Sequence, residues 1–187
     1  MTPIPLNRFG RDRRGVSAVE FALIAPIMLV CYLGVSLLCS ALLAERKASH
    51  VASAMGDLTA QAVSIAPSDL ADICSAAFII MSPYDTTANS LKMRVSSIQE
   101  DAAGNVTVGW SYNCQGMAQL TKGSAYSGPA KSLLSASQSI IVSEVTYSYA
   151  SPVQNLNISW LPGARTFSDA FYLQPRQSAA VTCSACS

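Results

Sequence analysis

Gly15-Val16-Ser17-Ala18-Val19-Glu20-Phe21 opens the stretch whose reading decides the architecture of this 187-residue chain. From Phe21 through Ala44 no residue is charged. At 1.5 Å per residue that run covers about 36 Å, enough to cross a ~30 Å hydrocarbon core with some tilt. A cleaved secretory signal would have an apolar core of about 7–15 residues and a small-residue cleavage site after it, and neither fits. A buried helix of a soluble protein would be shorter and less uniformly apolar. The run therefore predicts a transmembrane helix over 16–44.

The flanks orient it. Arg8, Arg11, Arg13 and Arg14 stand against Asp12 in the leader 1–15, and the mixed triplet Glu45-Arg46-Lys47 follows the apolar run. The positive-inside rule then puts the N-terminus in the cytoplasm and the bulk of the chain on the other side. Glu20 is the exception inside the rim. A charge costs about 2.5–3.5 kcal/mol at the centre of a membrane helix on insertion scales, less toward the end. It either snorkels to the interface or meets a partner. Pro26 predicts a bend, and Gly34, Ser36, Ser40 and Ala41 offer small surfaces for helix contact. Cys31 and Cys39 read as small apolar fillers of the span.

Composition agrees with a small, membrane-tethered, exported protein. Apolar residues make up 50% of the chain and charged residues only 12%, about half the usual share. The net charge is +1, and beyond the leader the balance turns slightly acidic. A nucleic-acid partner would call for a basic patch in the folded part, and none is legible. The length leaves room for one membrane segment and one modest domain, 45–187.

That domain reads as α+β. The first helix can continue past the membrane to Ala66, because Leu43, Val51, Met55, Leu58, Ala62 and Ile65 recur as an amphipathic stripe. Pro67 stops it, Ser68 is the expected N-cap, and Asp69 and Asp72 begin a second helix over 69–81. Residues 91–98 alternate apolar and polar, 101–105 is a turn, and 106–112 returns, which predicts a β-hairpin. Residues 115–129 read as loop. Residues 139–149, dense in β-branched and aromatic side chains, give the strongest strand. The tail from Phe167 to Val181 has material for one or two more. The expected fold is a long N-terminal helix, its first half in the membrane and its second half packed on a small antiparallel sheet.

The Gly15–Phe21 motif resembles the processing site of type IV pilin-like proteins, in which a prepilin peptidase cuts after the glycine and the glutamate directs assembly. More widely, the layout resembles the TadE-like family, minor pseudopilins of the Tad (Flp) pilus apparatus. The resemblance is carried by Arg13-Arg14-Gly15, by Ala18-Val19-Glu20-Phe21-Ala22-Leu23 with Pro26, and by the strand Val142-Ser143-Glu144-Val145-Thr146-Tyr147. Pro175-Arg176 and the closing cysteines resemble the family's C-terminal end. It implies a pilin-like fold and cleavage between Gly15 and Val16 by an aspartyl membrane protease. Glu20 and Phe21 would serve assembly. Partners would be the prepilin peptidase, other pilins and the inner-membrane Tad machinery. The domain would be periplasmic and the pilus one used for adherence. The major Flp pilin is much shorter, so this chain would be an accessory subunit.

The motif makes chemical sense. Glycine puts no side chain in a peptidase cleft. Cleavage would expose the Val16 α-amino group, whose reference pKa near 8 keeps it mostly cationic at neutral pH. It can pair with the Glu20 carboxylate in low-dielectric surroundings, within one chain or between neighbours.

Cys74, Cys114, Cys183 and Cys186 fall outside the membrane and are even in number, as expected of two disulfides in an oxidising compartment. Three connectivities are open. The reading preferred here bridges the terminal pair separately to Cys74 and Cys114, pinning the tail to the core. Cys183-x-x-Cys186 is also a redox or zinc half-site pattern, with Cys74 and Cys114 as the missing zinc ligands. Its place beside the C-terminus argues for structure instead.

An enzyme is not expected, nor a metal or cofactor. His50 is the only histidine and lies just past the membrane, so a conventional triad or His-based metal site lacks parts. Tyr147, Tyr149, Trp110 and Trp160 read as cover for a sheet. Three classes remain: a Tad-type minor pseudopilin, a type II secretion pseudopilin, and an unprocessed signal-anchored envelope protein. The first is preferred.

Overall fold

The computed structural model describes residues 15–101, 103–129, 133–134, 138–152 and 164–186. Helix α1, Val16–Ala60, runs through both of the compact units into which the chain divides, 1–40 and 41–187. In the first unit its apolar side chains are bare: Phe21 and Tyr32 are each 73% exposed. The most apolar 18-residue window has mean hydropathy 2.4, and none of it is covered by protein. The helix is long and apolar enough to cross a membrane, and Pro26 lies inside it.

The second unit is α+β. There α1 buries Ala44, Ala48, Val51, Ala52, Met55, Gly56 and Thr59. This is a correction to the expected stripe. Val51 and Met55 are buried as expected, but Leu43 and Leu58 remain exposed, and small residues make most of the contact face. At Gly56 the reason is distance. A Cβ there would lie 2.6 Å from Leu173 Cδ1 and 3.3 Å from Ser143 Cβ, so at this position the helix backbone is too close to the sheet for a side chain.

Helix α1 also ends at Ala60 rather than Ala66. The chain's own tail takes over its hydrogen bonds: the Arg176 amide donates to the Ala60 carbonyl, and Ile65 and Val63 exchange bonds with Thr182. Helix α2, Pro67–Met81, starts one residue before the expected cap, with Pro in its first turn and Ala66 as N-cap. Ser68 is not the cap; the Asp69 carboxylate at N3 reaches back and accepts from the Ala66 amide at 3.0 Å.

Strands β1, Leu91–Glu100, β2, Val106–Gln115, β3, Ser139–Tyr149, and β4, Arg165–Leu173, form one antiparallel sheet in the order β2-β1-β3-β4. The β1–β2 hairpin is the one the sequence predicts. Asp101 holds its turn by accepting from the Ala103 and Asn105 amides, and Gly104 adopts φ 81°. The expected tail strands resolve into β4, which ends at Leu173; the described residues beyond it carry only the single bridge Thr182 makes to Ser64.

The sheet is covered on both faces. On one, Leu91, Met93, Val95, Trp110, Ile141, Val145, Tyr147 and Tyr149 pack with α1 and α2. On the other, Ile98, Val106, Val108, Ile140 and Val142 pack under Leu120, Tyr126 and Leu134 of the loops. Arg94 and Glu144 pair at 2.5 Å, and Arg94 also donates to the Ala118 carbonyl, which ties down the loop after β2. The tail is drawn in by Trp110, whose indole N–H donates to the Val181 carbonyl at 2.8 Å.

Candidate functional site

The residues singled out at the N-terminus occupy one helix end. Gly15 is exposed, and a side chain added there would meet nothing within 4 Å. Val16 is the first residue of α1 and is half exposed. Glu20 follows four residues later, and side chains at i and i+4 lie one above the other on a helix face. The sequence spacing thus becomes a geometry: an amino group freed at Val16 would sit one turn, about 6 Å of rise, before the Glu20 carboxylate. Glu20 is exposed, and among the described residues no salt bridge or hydrogen bond engages its carboxylate. Phe21 beside it is bare. Residues 1–14, with the arginines of the leader, lie outside the described residues.

The four cysteines of the globular unit are all oxidised, but not in the preferred connectivity. Cys74 bonds Cys114, Cα–Cα 5.6 Å, and Cys183 bonds Cys186, Cα–Cα 5.4 Å. The first bridge fastens α2 to β2; the second closes a small loop in the tail. Packing is the reason, because the buried face of α2 places Cys74 over Cys114 at the inner end of the hairpin. The tail is still pinned to the core, as expected, but by the Trp110, Ala60 and Thr182 hydrogen bonds. Cys31 and Cys39 are free thiols on the exposed face of the apolar helix.

The remaining candidates for chemistry are dispersed. His50 is exposed on α1, and Asp69 and Asp72 are exposed at the start of α2. Among the described residues no three His, Cys, Asp or Glu side chains converge. Trp110, Tyr147 and Tyr149 are buried in the sheet's helix-side core, while Trp160 lies outside the described residues. A groove of about 490 Å³ beside the hairpin turn is lined by Asp101, Asn105, Thr107 and Tyr126. Its carboxylate is committed to the turn: hydrogen bonds from the Asn105 side chain and from backbone amides hold Asp101 below the usual carboxylate range. Tyr126 is pushed up to about 12, first by burial and then by Tyr172 and Glu144. Neither group is poised for proton transfer near neutrality.

Two contacts were not legible in the sequence. Lys47 of α1 donates to the carbonyls of Ile80 and Ser82, placing a cation at the C-terminal end of α2, and lies 5.7 Å from the Tyr84 ring centre. Arg176 pairs with Asp57, across the junction where the tail meets the end of α1. Nothing local to Arg176 or Asp57 in the sequence names the other as its partner.

Residues 15–56 match the family model described as TadE-like protein. The match begins at Gly15 of the motif and ends at Gly56, which lies against Leu173 and Ser143 of the sheet. No curated protein and no solved structure matches the chain.

Proposed function

We propose that this chain, TadE-like over residues 15–56, is a minor pseudopilin of a Tad/Flp-type pilus: a non-catalytic assembly subunit cleaved between Gly15 and Val16. TadE-like proteins are pilus-associated assembly subunits, and the observation that carries the finer reading is the Val16–Glu20 geometry. An apolar helix that exposes one carboxylate, a single turn from the residue following an open glycine, is suited to leave a peptidase with a cationic end and to pair in an assembly. In lipid, an unpaired carboxylate is penalised, so Glu20 favours a neighbour that presents an α-amino group.

In this reading the helix spans the inner membrane once, with the leader cytoplasmic and the unit 41–187 periplasmic. The disulfides support such a compartment. The partners are the prepilin peptidase, other pilin-like subunits and the Tad machinery, and the output is pilus biogenesis and surface adherence.

Intact mass and N-terminal sequencing of the chain produced with and without its prepilin peptidase test this. A mature chain starting at Val16 only with the peptidase is expected. Retention of residues 1–15 under both conditions refutes the reading.

A further inference from the structure

The globular unit grips its helix before the uncharged run has ended. Ala41 packs against the core and Ala44 is fully buried, whereas the first charge after the run is Glu45. No spacer therefore separates the apolar run from the folded unit. Lys47 lies one turn beyond Ala44, about 4.5 Å of rise, and it holds the Ser82 carbonyl and faces the Tyr84 ring. The polar layer of a bilayer is about 5–7 Å deep on each side. Whatever touches Lys47 is thus at headgroup depth if the run crosses a membrane.

The residues at this end suit that depth. Ser82 and Pro83 are exposed at the tip of the turn. Tyr84 meets Tyr147 and Tyr149 edge-on, each at 6.3 Å between ring centres. Tyrosines gather at membrane interfaces because one end of the ring is apolar and the other wet. Tyr149 pairs across the sheet with Arg165, so the exposed Arg165 marks the same end. Lys47 and the exposed Arg165 are the cations tied to this end, beside the exposed Asp85. The Asp85 carboxylate is already taken by Ser90 and Thr87. The far end of the sheet is different: β1 carries the chain ten residues, about 33 Å, away to the Asp101–Asn105 turn.

We infer that the Ser82–Tyr84 turn, with Arg165 at the same end, is a membrane-contact surface seated in the phospholipid headgroup layer, the Arg165 guanidinium meeting lipid phosphates. This rests on the reading of the apolar helix as membrane-spanning. It adds that the globular unit lies on the bilayer instead of standing clear of it. The occupant is argued from continuity with the span and from the charge of the rim.

The test uses the full chain in phospholipid vesicles with one fluorescent label per protein. The Cys39→Ala chain keeps Cys31 as the label site in the span. Chains lacking both native thiols carry Ser82→Cys at the turn or Ala103→Cys at the far hairpin. Arg165→Cys repeats the measurement at the near end should the Ser82 change disturb the turn. With nitroxide on the lipid headgroups, the label at 82 or 165 is expected to lose most of its emission and the label at 103 little. With nitroxide on the acyl chains, the Cys31 label is expected to be quenched. Near-end labels no more quenched than 103, beside a quenched Cys31, overturn the inference alone. An unquenched Cys31 overturns the membrane reading and the inference with it.

Discussion

Replacing Cys74 and Cys114 together by alanine removes a bridge that closes a loop of sequence separation 40, whereas replacing Cys183 and Cys186 opens one of separation 3. In the chain-entropy account, a cross-link limits the unfolded ensemble by an amount that grows with the logarithm of loop length. The two separations give about 3.9 and about 1.6 kcal/mol at 25 °C. Each pair removes the same two sulfur atoms, and Cys74, Cys183 and Cys186 are all under a tenth exposed, so packing losses are similar. The difference of about 2.3 kcal/mol isolates the loop term. At a urea dependence of about 2 kcal/mol per molar, it separates the two midpoints by roughly 1 M. The assay is urea unfolding of the full chain in detergent, followed by tryptophan emission, with the Ala103→Cys series excluded. Equal losses in the two double variants would refute the reasoning. They would point to crossed bridges between the tail and the core, in which both closed loops are long.

The approach of α1 to the sheet can be tested at Gly56: Gly56→Val is expected to destabilise by about 1–3 kcal/mol through overpacking. Shortening Leu173 to Ala in the same chain should recover part of that cost in a double-mutant cycle, because Leu173 Cδ1 is the nearest atom; additive costs would show that the two positions do not meet. Trp110→Phe leaves the buried Val181 carbonyl without its donor, at about 1–3 kcal/mol, and should speed amide exchange across 176–186. Unchanged exchange there would mean that the tail is held by other contacts. Hydrogen bonds, from Ser90 first and then Thr87, lower the pKa of Asp85, so its contribution is present above the unfolded carboxylate value near 3.9 and is lost as pH falls through the lower folded value. The stability gap between the parent chain and Asp85→Asn should therefore be open at pH 7 and close below about pH 4; a gap independent of pH would contradict this.

Much of the fold and the N-terminal site was legible because it depends on local pattern. A charge-free run long enough for a bilayer, a lone Glu at its rim, and alternation over 91–98 and 139–149 are properties of neighbouring residues, and backbone geometry turns them directly into elements. The i to i+4 relation of Val16 and Glu20 is of the same kind. It needs a helix and nothing more.

What only the tertiary structure decided are the meetings of residues far apart in the chain. Sequence favoured large apolar residues on the α1 face, but Ala44, Ala48 and Ala52 are buried there beside Val51 and Met55, Leu43 and Leu58 stay outside, and Gly56 lies against Leu173. Sequence carried α1 to Ala66, but the Arg176 amide takes the Ala60 carbonyl and ends the helix earlier. Sequence favoured bridges from the tail cysteines to Cys74 and Cys114, but α2 lies against β2 and brings Cys74 to Cys114 instead. Periodicity tells which side of an element is apolar; it does not tell how near the next element comes or which distant group will complete a hydrogen bond. Those are set when the pieces pack, by the few arrangements that leave few voids and few unpaired polar groups.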